Sequence, residues 1–136
     1  MRKRIAIVAA ITVVASIVAV QAAFAGKPNA ANTGPTVTLA SSDHATYARY
    51  NVAVGKTKGY AGVTQHCSTE YSGIYEYASV FTTSTTNVGP FPLTWETPAF
   101  DGDGNPITMT VHARTCEVFA TDSSGLRIGP IFTWNV

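Results

Sequence analysis

Ile107-Thr108-Met109-Thr110-Val111-His112-Ala113-Arg114-Thr115-Cys116-Glu117-Val118-Phe119-Ala120-Thr121 is the stretch whose reading decides the fold. Ile107, Met109 and Val111 oppose Thr108 and Thr110, a period of two that an extended strand sorts into one apolar and one polar face. Cys116, Val118 and Ala120 form a second apolar set, out of phase with Val111. A one-residue slip turns every following side chain to the other face, so the change of phase predicts a turn or bulge around His112 to Thr115.

The same period runs outward through the rest of the chain. Thr36-Val37-Thr38-Leu39 alternates; Tyr50, Val52 and Val54 oppose Arg49, Asn51 and Ala53; Ala61, Val63 and Cys67 share a face on which Gln65 is a blemish. Residues 74–82 are apolar on both faces, with Ile74, Ala78 and Val80 against Tyr75, Tyr77 and Phe81, which predicts a strand covered on both sides. Leu93 and Trp95 oppose Thr94 and Glu96, and Phe132, Trp134 and Val136 close the chain. Turn chemistry at Gly55–Gly59, Ser68–Gly73, Asn87–Pro92, Asp101–Pro106 and Asp122–Gly125 separates these runs. No stretch after the N-terminus repeats at helical spacing. The pattern predicts an all-β, immunoglobulin-like Greek-key sandwich of about seven to nine strands over residues 36–136, with both tryptophans in the core.

Met1-Arg2-Lys3-Arg4, an apolar run from Ile5 to Val20, and Ala23-Phe24-Ala25 stand in the order of charge, apolar core and cleavage site. That order predicts a signal peptide over residues 1–25 and a secreted protein without stable membrane insertion after cleavage. Residues 26–35 are polar and turn-rich and are expected to form a flexible lead-in. Three of the nine basic residues lie in the signal segment and all eight acidic ones follow it. Residues 26–136 thus hold six basic against eight acidic side chains, a net of −2. Such a domain is a poor partner for phosphate backbones, which argues against direct nucleic-acid binding. The two cysteines, Cys67 and Cys116, fall on inward faces of an early and a late strand. One bridge between them is expected in an oxidising compartment, placed as the inter-sheet bridge of immunoglobulin-like domains is.

Enzyme signatures are absent: there is no G-x-S-x-G, H-E-x-x-H or C-x-x-C, and Gly55-Lys56-Thr57 lacks the upstream glycine of a phosphate loop. No catalytic residue is expected. His66 beside Cys67 does not spell a metal pair, since neighbours on a strand point to opposite faces. Asp101-Gly102-Asp103-Gly104-Asn105 imitates the first half of a calcium loop, but Pro106 follows and the distal acid is missing. A plain hairpin turn accounts for it better, and no metal site is expected.

Several pieces, in order, resemble the neocarzinostatin-like family of secreted apoproteins. Thr36-Val37-Thr38 with Ser41-Ser42 looks like its opening strand, and Gln65-His66-Cys67 is similar to its Gln-Cys pair. Phe100-Asp101-Gly102 matches its Phe-Asp-Gly turn, and Cys116-Glu117-Val118-Phe119-Ala120-Thr121-Asp122 with Gly125 resembles its Cys-Gln-Val-Gly-Leu-Ser-Asp and glycine turn. The resemblance implies a monomeric immunoglobulin-like carrier with an antibiotic-type role, holding an apolar small molecule, an enediyne-like chromophore, without a covalent bond. It implies a cleft lined by Phe100 and the outward side chains Glu117, Phe119 and Thr121. The chain departs from the family in having two cysteines where the family has four, and in placing Phe119 where the family has a small glycine facing the cleft. As cleft lining Phe119 would stack on a ligand; as a plug it would occupy the ligand's space. The other reading is a fibronectin-III-like structural or adhesion module that binds a protein or glycan.

Overall fold

A computed structural model describes residues 34–136. The expected signal peptide and residues 26–33 of the lead-in lie outside the described residues. Eight strands follow among the described residues: β1 (Thr36–Ser42), β2 (Tyr47–Ala53), β3 (Gly62–Thr69), β4 (Tyr75–Phe81), β5 (Val88–Pro92), β6 (Thr94–Phe100), β7 (Pro106–Thr121) and β8 (Phe132–Asn135). β1, β2 and β5 form a three-stranded sheet in that order. β4, β3, β7 and β6 form the second sheet, with β8 also on β7, and every pairing is antiparallel. The chain passes from one sheet to the other between β2 and β3 and returns between β4 and β5, which makes the fold an immunoglobulin-like Greek-key sandwich.

β7, 16 residues long, organises the larger sheet. Its first half pairs with β6 from Pro106 to His112. Its second half pairs with β3 from Ala113 to Thr121 and, on its other edge, with β8 from Thr115 to Val118. The expected change of phase is a bulge: Ser68 faces Thr115 while Thr69 faces Ala113, which leaves Arg114 as the extra residue. Val111 and Ala113 before it, and Cys116, Val118 and Ala120 after it, are all buried. The alternation of Ile107, Met109 and Val111 holds, yet only Val111 is fully buried and Ile107 is exposed. Those residues belong to the β6–β7 hairpin, and burial fades toward its tip.

Four expectations are corrected. Asn87–Pro92, read as a turn, contains β5, with Val88 and Phe91 buried. Pro90 and Pro92 are tolerated there because β5 is an edge strand bonded only to β2. β4, expected to be covered on both sides, is an edge strand of the larger sheet, and Tyr75 and Phe81 are exposed on it. The cysteines do form a bridge, but within one sheet: Cys67 on β3 lies directly opposite Cys116 on β7, with Cα atoms 4.1 Å apart. An inter-sheet bridge is ruled out because β3 and β7 are neighbours. Finally Pro35, counted with the lead-in, is fully buried, where its backbone passes Gly129 so closely that a Cβ there would meet the Pro35 carbonyl at 2.1 Å.

The core lies between the sheets, built from Tyr50, Val63, Phe91, Leu93, Val118 and Trp134 among others. Gln65 lies on the inward face of β3 and is fully buried. The Tyr50 hydroxyl donates to Gln65 Oε1 at 2.6 Å and accepts from Trp134 Nε1 at 3.0 Å, while Gln65 Nε2 donates to the Pro92 carbonyl at 2.8 Å. These bonds join β2, β3, β5 and β8 across the sandwich. Trp95 is partly buried against the same core.

Candidate functional site

Direct pairing in an antiparallel sheet puts opposed residues on one face, so the register determines which side chains stand together. Tyr77 of β4 faces His66 of β3, His66 faces Glu117 of β7, and Glu117 faces Thr133 of β8. The disulfide and core residues occupy the intervening positions, so this row lies on the outer face of the larger sheet. Tyr75, Ser68, Thr115 and Asn135 form the row on one side, and Ser79, Thr64 and Phe119 the row on the other.

The His66 ring stacks on Tyr77 with centroids 4.2 Å apart and planes 7° apart, and lies 5.3 Å from the Tyr75 ring. Its Nδ1 is 3.7 Å from a Glu117 carboxylate oxygen, within ion-pairing reach and too long for a hydrogen bond. Its Nε2 is buried and has no hydrogen-bond partner. Burial pushes the imidazole below its ordinary pKa, and the Glu117 carboxylate opposes that shift. Burial raises the Tyr77 phenol, with smaller upward contributions from Glu117 and Tyr75. Two tyrosines and a stacked histidine thus form an aromatic floor with one half-exposed carboxylate at its side. The Thr64 and Ser79 hydroxyls, 2.8 Å apart, continue it.

Of the residues expected to line a cleft, Glu117 is exposed, while Phe119 is 4% and Thr121 1% exposed. The three share the outer face at the end of β7. Phe100 is not with them. It pairs with Pro106 at the start of β7, 41% exposed, and the β6–β7 register places it about 36 Å of extended strand from Glu117. Tyr75, Tyr77 and His66 were not among the expected site residues. Their signal was present, since Tyr75 and Tyr77 share one face of the doubly apolar run and His66 points away from Cys67. What was missing was the pairing that sets the two runs side by side.

The Asp101 loop is a hairpin turn, and the chain uses it twice. The Asp101 carboxylate accepts the amides of Asp103 and Asn105, and the Gly104 amide donates to the Asp101 carbonyl. Asp122 repeats each bond with Ser124, Leu126 and Gly125. Gly104 and Gly125 take φ of +84° and +82°, a conformation that favours glycine. Backbone and side-chain hydrogen bonds hold both carboxyls below their ordinary pKa. Among the described residues no three His, Cys, Asp or Glu side chains stand together as a metal site.

In comparisons with known proteins, no family model, no curated protein and no solved structure matches the chain.

Proposed function

We propose that the chain is an exported, non-catalytic carrier of an aromatic small molecule, which lies on the outer face of the larger sheet over Tyr75, His66 and Tyr77, beside Glu117. The observation that carries this reading is the aromatic floor itself, with Tyr75 40% exposed. The exposed Tyr75 ring, beside the stacked His66–Tyr77 pair, offers aromatic surface on which a flat ligand can pack, a contact worth about 0.5–1.5 kcal/mol beyond the area it buries. Of the cleft residues that the resemblance to neocarzinostatin-like apoproteins implies, Glu117, Phe119 and Thr121 stand on this face and Phe100 does not, so the resemblance supports the location in part. An antibiotic-type role for the cargo follows from that resemblance. The bridge between Cys67 and Cys116 fits a protein that matures in an oxidising compartment, as secretion requires.

Native mass spectrometry of protein recovered from culture supernatant tests the carrier reading. A small-molecule adduct that Tyr77→Ala removes supports it. Protein that carries no adduct and binds no added aromatic probe refutes it. The burial of Phe119 favours a second reading, a module that binds a glycan or protein on this face, since a ring fills the position where a cleft would need room. Binding of glycans or a surface protein in place of aromatic probes would select it.

A further inference from the structure

We propose that the free edge of β4 is a self-association surface, along which two copies of the chain join antiparallel into one continuous sheet. This goes beyond the carrier reading and does not depend on it. Among the described residues five strands pair with a single neighbour each: β1 and β5 with β2, β4 with β3, and β6 and β8 with β7. Four of them carry a feature that discourages a further strand. The register of β1 breaks between Leu39 and Ser41, β5 holds Pro90 and Pro92, β6 holds Pro98, and β8 is four residues long. β4 has none of these. It runs for seven residues in unbroken register with β3, from Tyr75 opposite Ser68 to Phe81 opposite Gly62, without proline, lysine or arginine.

The hydrogen bonds at the two ends of β4 fix which of its backbone groups are free. The Thr69 amide donates to the Ile74 carbonyl at 3.1 Å, and the Thr82 amide donates to the Ala61 carbonyl at 2.8 Å. Bonded and non-bonded pairs alternate along an antiparallel ladder, so Ile74, Glu76, Ala78, Val80 and Thr82 turn their amides and carbonyls toward β3. Tyr75, Tyr77, Ser79 and Phe81 turn theirs toward the open edge. These four lie symmetrically about Ala78. A two-fold axis there sets Tyr75 against Phe81, and Tyr77 against Ser79, of the second copy, and pairs every outward amide and carbonyl of the strand. Phe81 is 65% exposed and Tyr75 is exposed, so the same register brings two exposed aromatic pairs together over the backbone bonds. The charges agree with it. Glu76 is the one charged residue on β4, on its inner face opposite Cys67, and it meets Val80 of the second copy. Its own counterpart lies four residues along the strand, about 13 Å away, so no like charges are opposed. An inward charge restrains an edge, which keeps the dimer reversible. A strand of different sequence would find the backbone bonds but not this reciprocal match, which is why the occupant is a second copy.

Analytical ultracentrifugation of protein from culture supernatant, at about 5 to about 500 µM, tests this. A strand pair buries less than a standard interface, so a monomer is expected at the low end and a dimer at the high end. Ser79→Pro removes an amide aimed at the open edge and no bond to β3, so it is expected to stay monomeric throughout, with a thermal melt near that of wild type. A second pair of variants tests the register without proline. Phe81→Lys and Tyr75→Glu, each alone, are expected to weaken dimerisation about tenfold. An equimolar mixture of the two is expected to recover it as a heterodimer, because the substituted positions then face each other with opposite charge. Wild type that remains monomeric at about 500 µM would overturn the proposal. So would a dimer that survives Ser79→Pro and both charge variants, since it would lie on another surface. An extended peptide that binds the β4 edge of a monomeric protein would give the edge a different partner and overturn it too. No small molecule enters the experiment, so its failure leaves the carrier reading standing.

Discussion

Gln65 occupies a position at which an alternating strand should carry an apolar side chain, and the sequence shows it only as a flaw in the pattern. Its partners explain it: Tyr50 lies 15 residues away on the other sheet and the Pro92 carbonyl 27 residues away, and no local pattern connects them. Every polar atom of this network that the hydrogen bonds name is paired, and a buried network in that state specifies one packing of the two sheets. Tyr50→Phe keeps the ring and leaves Gln65 Oε1 and Trp134 Nε1 without the shared hydroxyl. We expect a loss of about 1–3 kcal/mol in urea unfolding. An unchanged midpoint would mean that water replaces the hydroxyl. His66 gives a second residue-scale expectation. Burial lowers its folded pKa below that of the unfolded chain, so the unfolded state takes up the proton first as pH falls. Its contribution is complete above about pH 6.5 and is lost as pH falls through the folded value. The stability of wild type relative to His66→Gln should therefore fall between pH 7.5 and pH 5. A constant difference across that range would show that burial of the ring carries no penalty on protonation. Removing the opposing carboxylate with Glu117→Gln should make the fall steeper.

β7 shows how far an element can be read from its own residues. Its two apolar sets and the break between them follow from alternation alone, and the bulge at Arg114 is where the phase slips. The inward placement of both cysteines follows in the same way, but the strand next to β7 does not, which is why an inter-sheet bridge was expected and a bridge within one sheet is present. β5 was missed for the opposite reason: Pro90 and Pro92 are turn residues by composition and edge-strand residues by position. Denatured, unreduced protein should show no free thiol on titration, and a disulfide-linked dimer would point to another pairing. Reduction opens a loop of 49 residues, for which chain entropy alone gives a loss of about 4 kcal/mol. On the same strand Phe119 is 4% exposed, and Phe119→Ala should cost about 3–5 kcal/mol in a chemical melt. If Phe119→Gly instead gains binding of an aromatic probe, the ring acts as a plug over usable space. If only stability changes, Phe119 is packing and the module reading gains.

At the scale of the whole molecule, the fold class was legible and the site was not, for one physical reason. Alternation reports which face a residue takes on its own strand, whereas the site is a row of side chains from β4, β3 and β7 that exists only once the register is set. Phe100 illustrates the limit, since its turn was placed correctly at the tip of a hairpin that carries it far from Glu117. The location of the mature protein depends on a different kind of signal, read along the chain with no folding required. Arg2, Lys3 and Arg4, the apolar run to Val20 and the small residues Ala23 and Ala25 are the basis on which we expect cleavage between Ala25 and Gly26. Cleavage removes three positive charges, so the mature chain should migrate as a mildly acidic protein although the full sequence carries +1. The expected export would also bring Cys67 and Cys116 to an oxidising compartment, with which the bridge between them is consistent. N-terminal sequencing of protein from culture supernatant should begin at Gly26, and intact mass should be two hydrogens lighter than the reduced chain. A sequence beginning at Met1, or recovery in the membrane fraction alone, would show that the segment is retained as an anchor, and the outer face would then work at a membrane surface.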